Sequence, residues 1–104
     1  MKLKFLPIVT AVLALAGTAA QASPEEAMNK AGCMACHAKD KKLVGPSFKD
    51  IAAKYKGQDV AAKLFDKVRK GGSGSFGPVP MAPNPAEKIN DADLKAAIGV
   101  ILKS

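Results

Sequence analysis

Four stretches of the chain space their apolar residues for helices, and each opens on a residue suited to starting one. "SPEEAMNKAGC" has Ser23 as cap, Pro24 at the first helical position and Glu26 three residues after the cap. That is a capping box with proline at N1, and it predicts a helix to about Gly32 or into the cysteine segment beyond. "SFKDIAAKYKG" repeats the grammar, with Ser47 as cap, Asp50 at N3 and Gly57 as the stop. "DVAAKLFDKVRKG" is expected to be capped by Asp59 and stopped by Gly71; Val60, Leu64 and Val68 share a face, with Ala61 and Phe65 beside them. In "NDADLKAAIGVILK", Asn90 caps, acidic residues fill the first turn, and Leu94, Ala97, Ile98 and Ile101 form the stripe to be buried.

No stretch alternates apolar and polar residues long enough to predict a strand, so the fold class is all-α. Between the third and fourth helices lies "GGSGSFGPVPMAPNP", Gly71 to Pro85, whose four glycines and four prolines exclude a helix. A loop of that length inside a small domain is usually functional.

The N-terminus stands apart. "MKLK", the apolar "FLPIVTAVLALAG" and the small-residue "AQA" follow the layout of a secretory signal peptide, and the run is shorter than the ~20 apolar residues of a membrane span. Cleavage after Ala22 is expected, giving a signal peptide at 1–22 and one domain at 23–104 that starts on a ready-made helix cap. No stable membrane insertion is expected of that domain.

A core built from so short a chain is marginal without a disulfide framework, a metal or a cofactor. One pair of cysteines is too few for a disulfide scaffold. The domain has no Trp, one Tyr (Tyr55) and three Phe (Phe48, Phe65, Phe76), so a large apolar group is missing from its amino acids. Its charge is uneven. Lys30 to Lys70 carries 11 basic and 4 acidic residues, whereas Gly71 onward carries 3 of each. Scattered lysines ordinarily just solvate a surface; concentrated like this, they also suit docking to an acidic partner. Nucleic acid is not expected, because no stacking aromatics accompany these lysines in an exported chain.

All the soft-ligand chemistry sits in "AGCMACHAKD", with Cys33, Cys36 and the chain's only histidine, His37. Structural zinc takes four ligands and only three are here. A redox C-x-x-C follows a strand of a βαβ unit, and this chain predicts none. A disulfide across two residues closes a loop too short to stabilise much and leaves His37 without a purpose. C-x-x-C-H is the attachment pattern for c-type haem: the two thiols add to the haem vinyl groups, and the histidine next to them becomes the proximal iron ligand. Such a haem also supplies the missing apolar bulk.

The second axial ligand cannot be another histidine. Met28 and Met34 lie too near Cys33 and His37 in sequence to reach the opposite face. Met81, 44 residues beyond His37, is framed by Pro80 and Pro83, which fix an extended backbone able to present a thioether. Met–His ligation raises the reduction potential and closes the iron to substrates, which describes an electron carrier and not an enzyme. The competing class, a peroxidase-like enzyme or gas sensor with an open distal site, needs a distal His or Arg; the chain has no second His, and its one Arg, Arg69, falls in a predicted helix.

The markers "GCMACHA", "VGPSFKDIAAKY" and "GPVPMAPN", with the closing helix, resemble small bacterial class I cytochromes c of the c-551/c-552 type over the whole of 23–104. The resemblance implies four to five short helices wrapped around one covalently attached haem c, with the first and last helices crossing. It implies a periplasmic one-electron carrier, and a monomer is expected because both axial ligands come from one chain. Electrons would pass from a quinol-oxidising cytochrome complex to acidic partners such as nitrite reductase, a terminal oxidase or cytochrome c peroxidase. By position it also implies that His37 donates its free ring N–H to the carbonyl of Pro46, that Asn84 bonds near the Met81 sulfur, and that Lys67 and Phe76 face the haem propionates. Relatives often carry Trp at that last position, and Phe76 lacks the indole N–H that would donate to a propionate.

Overall fold

The computed structural model describes residues 23–104; the expected signal peptide, 1–22, lies outside the described residues. Helix α1 spans Pro24–Ala31 and begins as its capping box predicts, with Ser23 Oγ accepting from the Glu26 N–H at 3.2 Å. Gly32 ends it at φ 84°, a left-handed conformation that glycine adopts without a Cβ penalty. A single 3₁₀ turn, Cys33–Ala35, follows at once.

Helix α2, Phe48–Lys54, starts on Ser47, whose buried hydroxyl accepts from the Asp50 N–H at 3.0 Å. Two more of its first-turn N–H groups are satisfied from the cysteine segment: Phe48 donates to Ala38 at 2.9 Å and Lys49 to Lys39 at 3.0 Å. Helix α3 spans Ala61–Lys70. Here the expected cap is wrong. Val60, not Asp59, precedes the helix, and no side chain caps it. Val60 is buried and its carbonyl accepts from Leu64, so packing of an apolar residue, not a carboxylate, sets the start. Helix α4, Asp91–Leu102, begins as predicted, with Asn90 Oδ1 accepting from the Asp93 N–H at 2.8 Å.

Helix α4 is the hub, packing against α1, α2 and α3. Its Leu94, Ala97 and Ile98 join Ala27, Met28 and Ala31 of α1, Phe48 of α2, and Ile89 in one buried cluster. Burying a side chain such as Leu94 or Ile98 contributes about 1.5–3 kcal/mol, and truncating Leu94 to Ala would cost about 2–5 kcal/mol once the cavity is counted. Ile101, the last residue of the predicted stripe, is half-buried. Helix α3 differs from its neighbours. Leu64, Phe65 and Val68 touch this core, yet no residue of α3 is buried. An apolar face is thus left only partly covered by protein.

Among the described residues there are two isolated backbone bridges and no strand ladder. One joins His37 to Lys42 and the other joins Gly72 to Met81. No helix among the described residues is long and apolar enough to cross a membrane.

Candidate functional site

The cysteine segment is shaped by backbone bonds that turn it back on itself. Cys36 and His37 both donate to the Cys33 carbonyl, at 3.2 and 3.0 Å, which sets the two thiols and the imidazole around one tight turn. Gly45 donates to Cys36 at 2.8 Å, closing the loop between them. Both thiols are half-buried. Burial pushes the Cys33 thiol above its ordinary range despite a backbone hydrogen bond and nearby Lys88 that pull the other way. A redox dithiol needs the opposite shift, toward thiolate.

His37 is nearly buried and held on several sides. Its ring stacks on Phe48 with centroids 5.6 Å apart and planes at 23°. Its Nδ1 lies 2.7 Å from the Pro46 carbonyl oxygen. A carbonyl can only accept, so Nδ1 carries the hydrogen and Nε2 keeps its lone pair for a metal. Gly45 lies so close that a Cβ there would stand 2.6 Å from Cε1 of the ring. Its sequence signal is slight, a glycine before Pro46, and its role shows only in space.

The second half of the site hangs from the C-terminal end of α3. Gly72 and Met81 exchange both backbone hydrogen bonds, each 2.9 Å. Gly71 holds φ 70°, and a Cβ there would meet the Met81 carbonyl and stand 2.9 Å from Ala82, so this crossing requires glycine. Asn84 is almost buried. Its backbone N–H donates to Val68 at 2.9 Å, and its side-chain nitrogen lies 3.0 Å from the Ala82 carbonyl and 3.4 Å from that of Val68. The expected partner of that amide was the Met81 sulfur; here it braces the backbone on which Met81 sits.

Lys67 lies beside the same crossing, its Nζ 3.4 Å from where a Cβ on Gly72 would stand. Phe76 is exposed and meets Tyr55 edge-on at 6.3 Å and 80°. Lys54 Nζ sits 4.4 Å from its ring centroid and donates to the Ser75 carbonyl. A cation thus covers the Phe76 ring.

These donors suit one kind of group. An imidazole nitrogen and a thioether from separate segments, two adjacent thiols and a half-covered apolar helix face fit a large flat apolar molecule that carries a metal. The comparisons agree. The pattern of the cytochrome c family matches residues 23–101. The chain belongs to the cytochrome c family. It is 51% identical over 84 residues to cytochrome c2 of Rubrivivax gelatinosus, covering 80% of this chain and 99% of that one. It is 44% identical over 103 residues to cytochrome c-552 of Nitrosomonas europaea, covering 98% and 97%. The crystal structure of wild-type Nitrosomonas europaea cytochrome c552 overlays with a TM-score of 0.68 at 44% identity, covering 76% of this chain and 96% of that chain. The fold is that of class I cytochromes c, the cofactor is one covalently attached haem c, and the protein is a monohaem electron carrier.

Proposed function

We propose that this cytochrome is a periplasmic carrier whose haem iron is ligated by His37 and Met81, with Cys33 and Cys36 forming the thioethers. The observation that supports the ligation is that each of the two donors is fixed by its own surroundings. Nε2 of His37 is left free by the Nδ1 bond to Pro46, and the Met81 backbone is fixed by Gly72. When bound, the haem supplies one-electron chemistry by cycling its iron between Fe(II) and Fe(III). His37 keeps one tautomer through its bond to Pro46, and Phe48 and Gly45 fix the plane of its ring. Two ligands held by rigid surroundings let the charge change with little rearrangement of protein.

The same arrangement supports a carrier over an enzyme. Arg69, the chain's only arginine, has its guanidinium engaged by Asn84, Ile89 and Asp91, and no second histidine exists to serve as a distal acid or base. Export is supported by the basic, apolar and small-residue order of the N-terminus. The basic segment from Lys30 to Lys70 supports acidic redox partners, such as a quinol-oxidising cytochrome complex as donor and a nitrite reductase, terminal oxidase or cytochrome c peroxidase as acceptor.

Visible spectra of the oxidised and reduced holoprotein, with and without carbon monoxide, test the ligation. The far-red charge-transfer band of Met–Fe(III) is expected in the oxidised protein and is lost in Met81→Ala. Reduced protein is expected to bind carbon monoxide slowly, and Met81→Ala quickly. A wild type lacking the band, or a variant keeping it, overturns the assignment.

A further inference from the structure

Arg69 is the least exposed end of the most connected ion pair among the described residues. Its side chain is 16% exposed against 71% for that of Asp91. One guanidinium nitrogen donates to the carbonyls of Asn84 at 3.1 Å and Ile89 at 2.7 Å, and the other to Asp91 Oδ1 at 2.6 Å. The plane lies 5.0 Å from the Phe65 ring centroid, one turn back on α3. A planar five-donor group can span these acceptors at once, whereas an ammonium cannot.

What it spans matters. Asn84 is gripped at both backbone groups by consecutive residues of α3: its N–H goes to the Val68 carbonyl and its own carbonyl takes the Arg69 guanidinium. Ile89 and Asp91 are the entry to α4, on the far side of the same loop. Three residues before Asn84 stands Met81, tied at its own backbone to Gly72. The loop is therefore pinned at two points, at Met81 by Gly72 just beyond α3 and at Asn84 by the last turn of α3, and among the described residues Arg69 is the one side chain whose hydrogen bonds join the second point to α4.

We propose that Arg69 is a positioning residue for the methionine ligand, setting how readily the Met81 segment lifts away while the rest of the fold stays intact. This rests on the Met81 ligation proposed above. Removing Arg69 deletes charge-assisted hydrogen bonds to two carbonyls that surround the loop, leaving the helical core through Leu94, Ala97 and Ile98 untouched. The opening of the loop should become easier before the fold melts.

The test compares the far-red Met–Fe(III) band with far-UV circular dichroism during heating of oxidised holoprotein. In Arg69→Met, which keeps an apolar stem on Phe65, the ratio of detached to bound methionine below the melting transition should rise about tenfold to a hundredfold, the size expected from losing one or two charge-assisted hydrogen bonds. Arg69→Lys, with charge but no fork, should fall between it and the wild type. Asp91→Asn, which leaves both carbonyl bonds in place, should shift the band far less. If Arg69→Met loses the band only together with the helical signal, as in the wild type, Arg69 is merely structural and the proposal fails. Should Arg69→Met not fold, Arg69→Lys with wild-type band persistence overturns it equally. A wild type without the band removes the ligation reading itself, whereas a wild-type band that outlasts these substitutions unchanged removes only the role of Arg69.

Discussion

The carbonyl oxygen of Pro46 stands 2.7 Å from Nδ1 of His37. That contact fixes the tautomer, but it holds only if the backbone before the proline can lie against the ring. Gly45 provides this, since a Cβ there would be 2.6 Å from Cε1, 3.0 Å from Nδ1 and 3.2 Å from Nε2.

Gly45→Ala should therefore act on the imidazole directly. The ring is also backed by Phe48 and cannot simply slide aside. Denaturant unfolding of the holoprotein should show a loss of about 1–3 kcal/mol, as for other overpacked sites. The reduction potential should move as well, because the bond to Pro46 is weakened. An unchanged potential would separate the packing from the tuning.

Asn90 and Asp59 allow a paired test of capping. Asn90→Ala removes the 2.8 Å acceptor for the Asp93 N–H and should cost about 1 kcal/mol. Asp59→Ala, at a position that caps nothing, should stay within about 0.5 kcal/mol. Thermal melts of the two holoproteins decide it; equal losses would place a cap at Asp59 after all.

Electrostatic docking has its own signature. Lys41 and Lys42 are exposed on the loop closed by the Gly45–Cys36 bond, beside exposed Leu43 and Val44 and next to the haem-attachment turn. Electron-transfer rates to an acidic partner should fall as salt rises from low ionic strength to about 0.15 M, where the Debye length is ~8 Å. Lys41→Glu and Lys42→Glu should slow the low-salt rate more than Lys103→Glu at the end of α4. A rate insensitive to salt would remove the docking role.

The parts of the fold legible in the sequence are those decided within a turn or two of chain. Ser23, Ser47 and Asn90 each accept from the N–H three residues on, so spacing alone reveals them. The cysteine–histidine turn is equally local. Asp59 misled because Val60 starts α3 by burial, a tertiary effect that outweighs capping preference. The loop from Gly71 to Pro85 reads as irregular, and its prolines and glycines hide the Gly72–Met81 pairing across nine residues. Arg69 was visible only as a charge in a helix. Its acceptors are 15 to 22 residues away, and two of them are backbone carbonyls that carry no sequence mark.

The central place of α4 has a consequence for how the molecule is made. Leu94, Ala97 and Ile98 close the core against α1 and α2, so that core is complete only when the last helix is in place. Local turns can form earlier, but contacts this distant in sequence carry their loop-closure entropy until the end. Cys33 packs against that same cluster, so the attachment segment reaches its final surroundings only once α4 has docked.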